Sequence, residues 1–381
     1  MNTIFQLRAR GAVAIAILLA GCARSGDSSS ASSNGGVAPH TRLVPGETCA
    51  ATATSLTPAA WRPVKASDAP GDTASSTRAL AVVADVPLHG PANRFDYQSI
   101  DTATRRLYIS HMNAGTLVVF DLARDSVVAE VSGLPRVTGV WAVPEHGEIY
   151  ASAAGAHEVA VIDARTLAIT ARIGDIRFPD GIAFVAGADK VFVSDERGGA
   201  AVVIDARTHA KRSTIALGGE AGNTHYDAVS GCVLVAVQTR GDIVAIDPAS
   251  ERIVARYPVA GVVGPHGFTL DDQRRLAFVT GEGNASLAVV DLRTMRITQR
   301  LAVGADPDVL AWDAAWRRLY VASEGGVLST FREAGDSLVP SGELRIPHAH
   351  SVAVDPSSHR VYLPLENVNG RPVLRILALT P

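Results

Sequence analysis

The chain has 381 residues, 47% of them apolar and only 19% charged, with a mean hydropathy of +0.16, so material for a large core is ample. Its formal net charge of −3 and pI near 6.4 give no general electrostatic reason to bind nucleic acid, which excludes DNA binding as the leading expectation.

In chain order, the first element is a processing signal at residues 1–21. Arg8 and Arg10 make a positive start, and Gly11 to Ala20 form an apolar run too short to span a bilayer comfortably. The run ends in Leu19-Ala20-Gly21-Cys22, which resembles the bacterial lipobox. That resemblance implies lipidation at Cys22 and a membrane partner held through buried methylenes rather than a spanning helix. Ala23 follows the Cys where some lipoproteins of Gram-negative bacteria carry a retaining Asp. The expected location is therefore the cell envelope, facing the periplasm, at the outer membrane if the source is Gram-negative. The alternative is an ordinary secretory signal with a chance Cys.

Residues 22–78 read as a flexible tether, opening on the low-complexity run 28–36 (SSSASSNGG). The other two cysteines are Cys49 in this tether and Cys232 far downstream. Export would permit a Cys49–Cys232 disulfide, and two free thiols are the competing reading.

From residue 79 the chain repeats itself. Two apolar residues followed by Asp recur at Asp121, Asp163, Asp205, Asp247 and Asp291, at intervals of 42, 42, 42 and 44. A short apolar strand precedes each Asp, as in 107–110, 191–194 and 276–279, with further copies at 319–322 and 361–364. Several short strands per period near 42 indicate propeller blades, not helical solenoids. The first full repeat divides into strands at 95–100, 106–110, 116–121 and 126–131. The repeated Asp precedes a hairpin turn, where its carboxylate can bond backbone N–H groups. The last repeat has only three strands before Pro381, and the lone strand 79–86 supplies a fourth. The fold expected over 79–381 is therefore an all-β, seven-bladed propeller closed by its N-terminal strand.

The strand-Asp-Ala-Arg-Thr hairpins (163–166, 205–208) and the Arg-Arg-Leu-Tyr-Val-Ala-Ser segment (317–323) resemble the YVTN/YncE-like β-propeller repeat proteins. The resemblance covers the whole repeat region and implies the fold. It implies no particular chemistry, because no catalytic signature defines that family.

Chemistry is concentrated at one mouth of the channel. Aligning the repeats places one residue per blade at the start of the innermost strand: Asp96, Thr138, Asp180, Gly222, His266, Asp308 and His350. Two positions earlier stand Arg94, Arg136, Phe178, Glu220, Gly264, Asp306 and His348. Loops after the second strands add Asp195, Glu196, Glu282, Glu324 and Glu366, with His111, Asn113, Gln238, Asn284 and Asn367 between them. Arg94, Asp96, Arg136, Asp180, Glu196, His266, Glu282, Asp308, Glu324, His350 and Glu366 are thus the candidate ligand-binding set. Asp180, His266, Asp308 and His350 have donor atoms suited to a divalent metal: Zn²⁺ for the imidazoles, Ca²⁺ or Mg²⁺ for the carboxylates. A solvated rim that binds nothing is the competing reading. His348 and His350 would share one side of an extended strand. His225 is expected to pack within its blade, and the four tryptophans (61, 141, 312 and 316) to be packing residues.

No nucleophile elbow, phosphate loop, C-x-x-C or haem-attachment motif is present. The leading expectation is a monomeric envelope binding or scaffold module that takes a protein, peptide or small ligand at the mouth. The alternative is a metal-dependent hydrolase resembling the gluconolactonases, although that family holds its cation with Glu, Asn and Asp. A streptogramin-lyase-like reading ranks last, for want of that family's Trp-Phe-Thr-Glu repeats.

Overall fold

A computed structural model describes Cys49 and residues 79–380. The expected signal peptide, Cys22 and Trp61 lie outside the described residues, as does the tether apart from Cys49.

Among the described residues, twenty-eight strands form seven four-stranded antiparallel sheets, each blade following the last around a ring. The first blade comprises Gln98–Asp101, Arg106–His111, Thr116–Asp121 and Ser126–Ser132. Its last three strands match the expected bounds to within a residue. The innermost strand starts later than expected, although Asp96 N–H still bonds Ser110 O at 2.9 Å.

The blades adhere through one recurring large side chain. Tyr108, Tyr150, Phe192, Leu234, Phe278, Tyr320 and Tyr362 occupy the same point of each second strand, and all are buried. Successive side chains of a strand point to opposite faces, so this row fills the spaces between neighbouring sheets. The repeated Asp acts as expected. Asp121 Oδ1 accepts backbone N–H bonds from Ala123 and Arg124 at 2.9 Å, and Asp163, Asp205, Asp247 and Asp291 do likewise.

Closure also follows the expectation. Leu80–Pro87 pairs antiparallel with Arg371–Leu379 as the outer strand of the seventh blade, from Leu80↔Leu379 to Pro87↔Val373. On the face opposite the mouth, Arg105 of the first blade clasps Asp355 of the seventh with two bonds of 2.6 Å. Bidentate guanidinium–carboxylate pairs have high directional specificity, so this one fixes the seam geometrically.

Cys49 and Cys232 form a disulfide. Cys232 begins the second strand of the fourth blade, at the end away from the mouth, and Cys49 is buried there beside Leu270, Leu292 and Met295. Of the two readings of these cysteines, the disulfide is the one formed, and it ties the chain to the propeller at residue 49.

Candidate functional site

The innermost strands do not enter the ring as regular ladders. In the second to sixth blades, register shifts lie between Val137 and Val140, Pro179 and Ile182, Ala221 and Thr224, Pro265 and Phe268, and Pro307 and Leu310. A bulge leaves one residue unpaired and re-aims its side chain. Thr138, Asp180, Gly222, His266 and Asp308 all sit on these bulges. The following position is often Gly because the next blade's backbone passes close by. A Cβ on Gly139 or Gly267 would lie 1.9 or 1.8 Å from the carbonyl oxygen of Asp180 or Asp308. Asp180, His266 and Asp308 are thereby turned into the bore, and Asp96 and His350 join them from the first and seventh blades; all five are buried.

They meet in one ionic cluster at the floor of a cavity of about 340 Å³. Asp308 is its centre: Oδ1 lies 3.2 Å from His266 Nε2 and Oδ2 lies 3.1 Å from His350 Nε2. Arg94 reaches in from the first blade, with Nη2 3.0 Å from His350 Nε2 and Nη1 2.8 Å from Glu324 Oε1. His350 Nδ1 lies 3.1 Å from the same Glu324 oxygen, and His350 Nε2 lies 3.4 Å from Asp96 Oδ1. Glu282 stands 3.8 Å from His266 Nδ1, which contacts Gln238 Nε2 at 2.7 Å.

The electrostatics follow from burial opposed by counter-charge. Burial pulls the His266 imidazole down, but Asp308, Glu282 and Asp180 together outweigh it and hold it at about 10. His350 is likewise pulled down by burial and held at about 10 by Asp308, Asp96 and Glu324. Burial pushes Asp308 up, yet the two imidazoliums and Arg94 hold it well below the usual carboxylate range. Asp180 behaves oppositely. Burial, then Asp96, Glu196 and Asp308 against an opposing His266, push it up to about 8. Burial also raises Glu196 and Glu282.

Tyr97 is the residue that sequence reasoning missed. Its hydroxyl crosses the bore from the first blade to donate to Asp180 Oδ2 at 3.1 Å, and it lies 3.3 Å from His266 Nε2. The signal was present in the position after the bulge residue. That column reads Tyr97, Gly139, Gly181, Asn223, Gly267, Val309 and Ser351, with a single large aromatic. Arg197 was missed as well. It lies over the Phe178 ring at 4.3 Å, with Arg136 at 5.2 Å, so two guanidinium groups flank one rim aromatic.

Other expectations need correction. The four candidate metal ligands do not converge on one point. Asp308 is shared by two separate groups, Asp96–Asp308–His350 and His266–Glu282–Asp308, and Asp180 belongs to neither. Glu366 is on the outer rim, 3.6 Å from His348 and outside the cavity lining. His348 and His350 do not share a side. His348 adopts a left-handed φ of 65°, which breaks the extended alternation, and it is exposed while His350 is buried. Asp195 serves the backbone, accepting from Arg177, Phe178 and Gly198 N–H groups, and His111 stacks on Phe95 at 4.0 Å. Trp312 does pack, on Phe278 at 5.0 Å, but Trp141, Trp312 and His225 also line the bore.

The pH behaviour of Asp180 is testable. A carboxyl whose folded pKa is raised lowers stability as pH climbs from its ordinary 3.8 towards about 8. Asp180→Asn keeps an acceptor for Tyr97 and removes the titration. Its melting temperature relative to the parent is expected to be higher at pH 9 than at pH 5. An unchanged difference between the two would contradict the assignment.

No protein-family model and no curated protein sequence matches the chain. Solved structures do resemble it. A chain of the hydrazine synthase of Kuenenia stuttgartiensis superposes with a TM-score of 0.64 at 16% identity, covering 78% of this chain and 97% of that one. A chain of a mitotic checkpoint complex gives 0.68 at 10% identity, covering 84% and 99%. At such identities the likeness shows the fold alone. The chain is a seven-bladed propeller, a fold compatible with binding and scaffolding.

Proposed function

We propose that the protein is a YncE-like envelope binding module whose mouth takes a small polar ligand carrying both charges, such as a short peptide. The supporting observation is the division of the mouth around its ionic floor. Arg136 and Arg197 flank Phe178 in the second and third blades, with Glu196 preceding Arg197, while Glu282 stands in the fifth and Glu324, paired with Arg94 and His350, in the sixth. A ligand with an anionic and a cationic end would meet complementary groups on opposite sides, and electrostatic complementarity of this kind favours specificity and orientation. Calorimetric titration with a panel of dipeptides at pH 7 tests this. Binding that weakens at least tenfold in Glu324→Gln and in Arg197→Ala is expected. Equal binding by dipeptides blocked at both ends would overturn the reading. With Cys22 acylated, the module would hang from the membrane. Incorporation of labelled palmitate that is lost in Cys22→Ala checks that step.

A metal-dependent hydrolase is the second reading, favoured by the two His–carboxylate groups. The Asp96–Asp308–His350 group fits a cation poorly, because Arg94 Nη2 already lies 3.0 Å from His350 Nε2. The His266–Glu282–Asp308 group offers three donors and is the better fit. Any metal there would supply Lewis acidity, with Tyr97 and Asp180 as the adjacent proton-bearing groups. Protein purified without chelator should then carry stoichiometric metal that is lost in His266→Ala. Metal-free protein whose melting temperature ignores added Ca²⁺, Mg²⁺ and Zn²⁺ would end this reading.

A further inference from the structure

Below the ionic mouth the channel opens again, into a second cavity of about 340 Å³ lined by innermost strands of all seven blades. Tyr97 lines both cavities. Its hydroxyl bonds Asp180 and lies 3.3 Å from His266 on the side of the mouth.

The two cavities differ sharply in chemistry. The upper one is lined by Arg, Asp, Glu and His side chains, whereas no Asp, Glu, Lys or Arg lines the lower one. Its only imidazole, His225, is driven down by burial to about 4 and is neutral at physiological pH. That ring lies edge-on to Phe268 at 4.7 Å. Trp141 and Trp312 enter from the second and sixth blades and are only half-buried, unlike the Tyr and Phe row between the blades.

An uncharged wall rejects ions, because a desolvated charge would find no counter-charge there. Indole rings, by contrast, offer flat apolar area. From these features we infer that the lower channel is a second ligand site, selective for a small, uncharged aromatic molecule. This inference is independent of what the mouth binds.

The test uses two dyes that share a skeleton: uncharged N-phenyl-1-naphthylamine and its sulfonated relative, 1-anilinonaphthalene-8-sulfonate. The uncharged dye should bind with one-to-one stoichiometry, at least tenfold tighter than the sulfonate, and with energy transfer from tryptophan. Ala311→Trp, which places an indole in the cavity, should abolish binding. Trp312→Leu, which keeps an apolar side chain and removes the indole face, should weaken binding at least threefold and covers the case in which the larger substitution fails to fold. Absence of binding, equal affinity for the two dyes, affinity unchanged in Trp312→Leu, or binding that survives in folded Ala311→Trp would each overturn the inference.

Discussion

Asp308→Asn is expected to destabilise the protein by about 3–5 kcal/mol at neutral pH, the usual cost of removing one partner from a buried ion pair. The substitution barely changes shape, so the loss is electrostatic. In the parent, one buried carboxylate faces two imidazoles at 3.2 and 3.1 Å and Arg94 at 3.8 Å. The amide leaves those groups charged in a buried site with less compensation. The pH profile separates this from a packing defect. A histidine with a raised folded pKa contributes stability fully below its ordinary 6.5, and the contribution is lost as pH climbs through about 10. Asp308 is held low, so its contribution is present above the ordinary 3.8 and is lost as pH falls. The parent–variant gap should therefore be widest between about pH 4 and 6.5, shrink steadily as pH climbs to about 10, and close at both extremes. Urea denaturation at several pH values measures it, and a gap independent of pH would contradict the electrostatic account.

The same cluster shows where the sequence was legible. Periodicity depends on backbone geometry that every blade shares. The 42-residue register therefore located the five Asp turns and the closing strand, expected at 79–86 and found at Leu80–Pro87. It also assigned Asp96, Asp180, His266, Asp308 and His350 to one end of the bore, because strand direction alone determines which end that is. Register carries no information about reach or rotamer. Asp180 and Asp308 hold equivalent positions on equivalent bulges, yet one bonds a tyrosine hydroxyl and is held protonated while the other is a buried anion. That difference arises from what crosses the bore, and Tyr97 and Arg94 both come from a different blade. The left-handed φ at His348 was equally hidden, since it is Gly264, not His348, that advertises such a conformation at this column. The concentration of charge at one mouth was legible, because it follows from which columns of the repeat carry the ionisable residues.

Removing the disulfide, by reduction or by Cys232→Ala, is expected to lower stability by about 2–5 kcal/mol. The two cysteines are 183 residues apart, and a cross-link over so long a loop restricts the unfolded chain strongly. The effect should be uneven across the ring. The closing strand 80–87 is held to the seventh blade by strand pairing and by the Asp85–Arg375 bonds of 2.7 and 2.6 Å. Cys49, 31 positions before Leu80, ties the chain to the fourth blade, so a closing strand that detaches stays within a linker's reach of its partner at a raised effective concentration. Once the bond is cut, that restraint is gone and only the pairing remains. Amide hydrogens of 80–87 and of their partners in 371–379 should then exchange faster by a larger factor than those of the third blade. Uniform acceleration around the ring would mean that the bond acts only on the unfolded state. Unchanged exchange and stability would mean that strand pairing alone suffices.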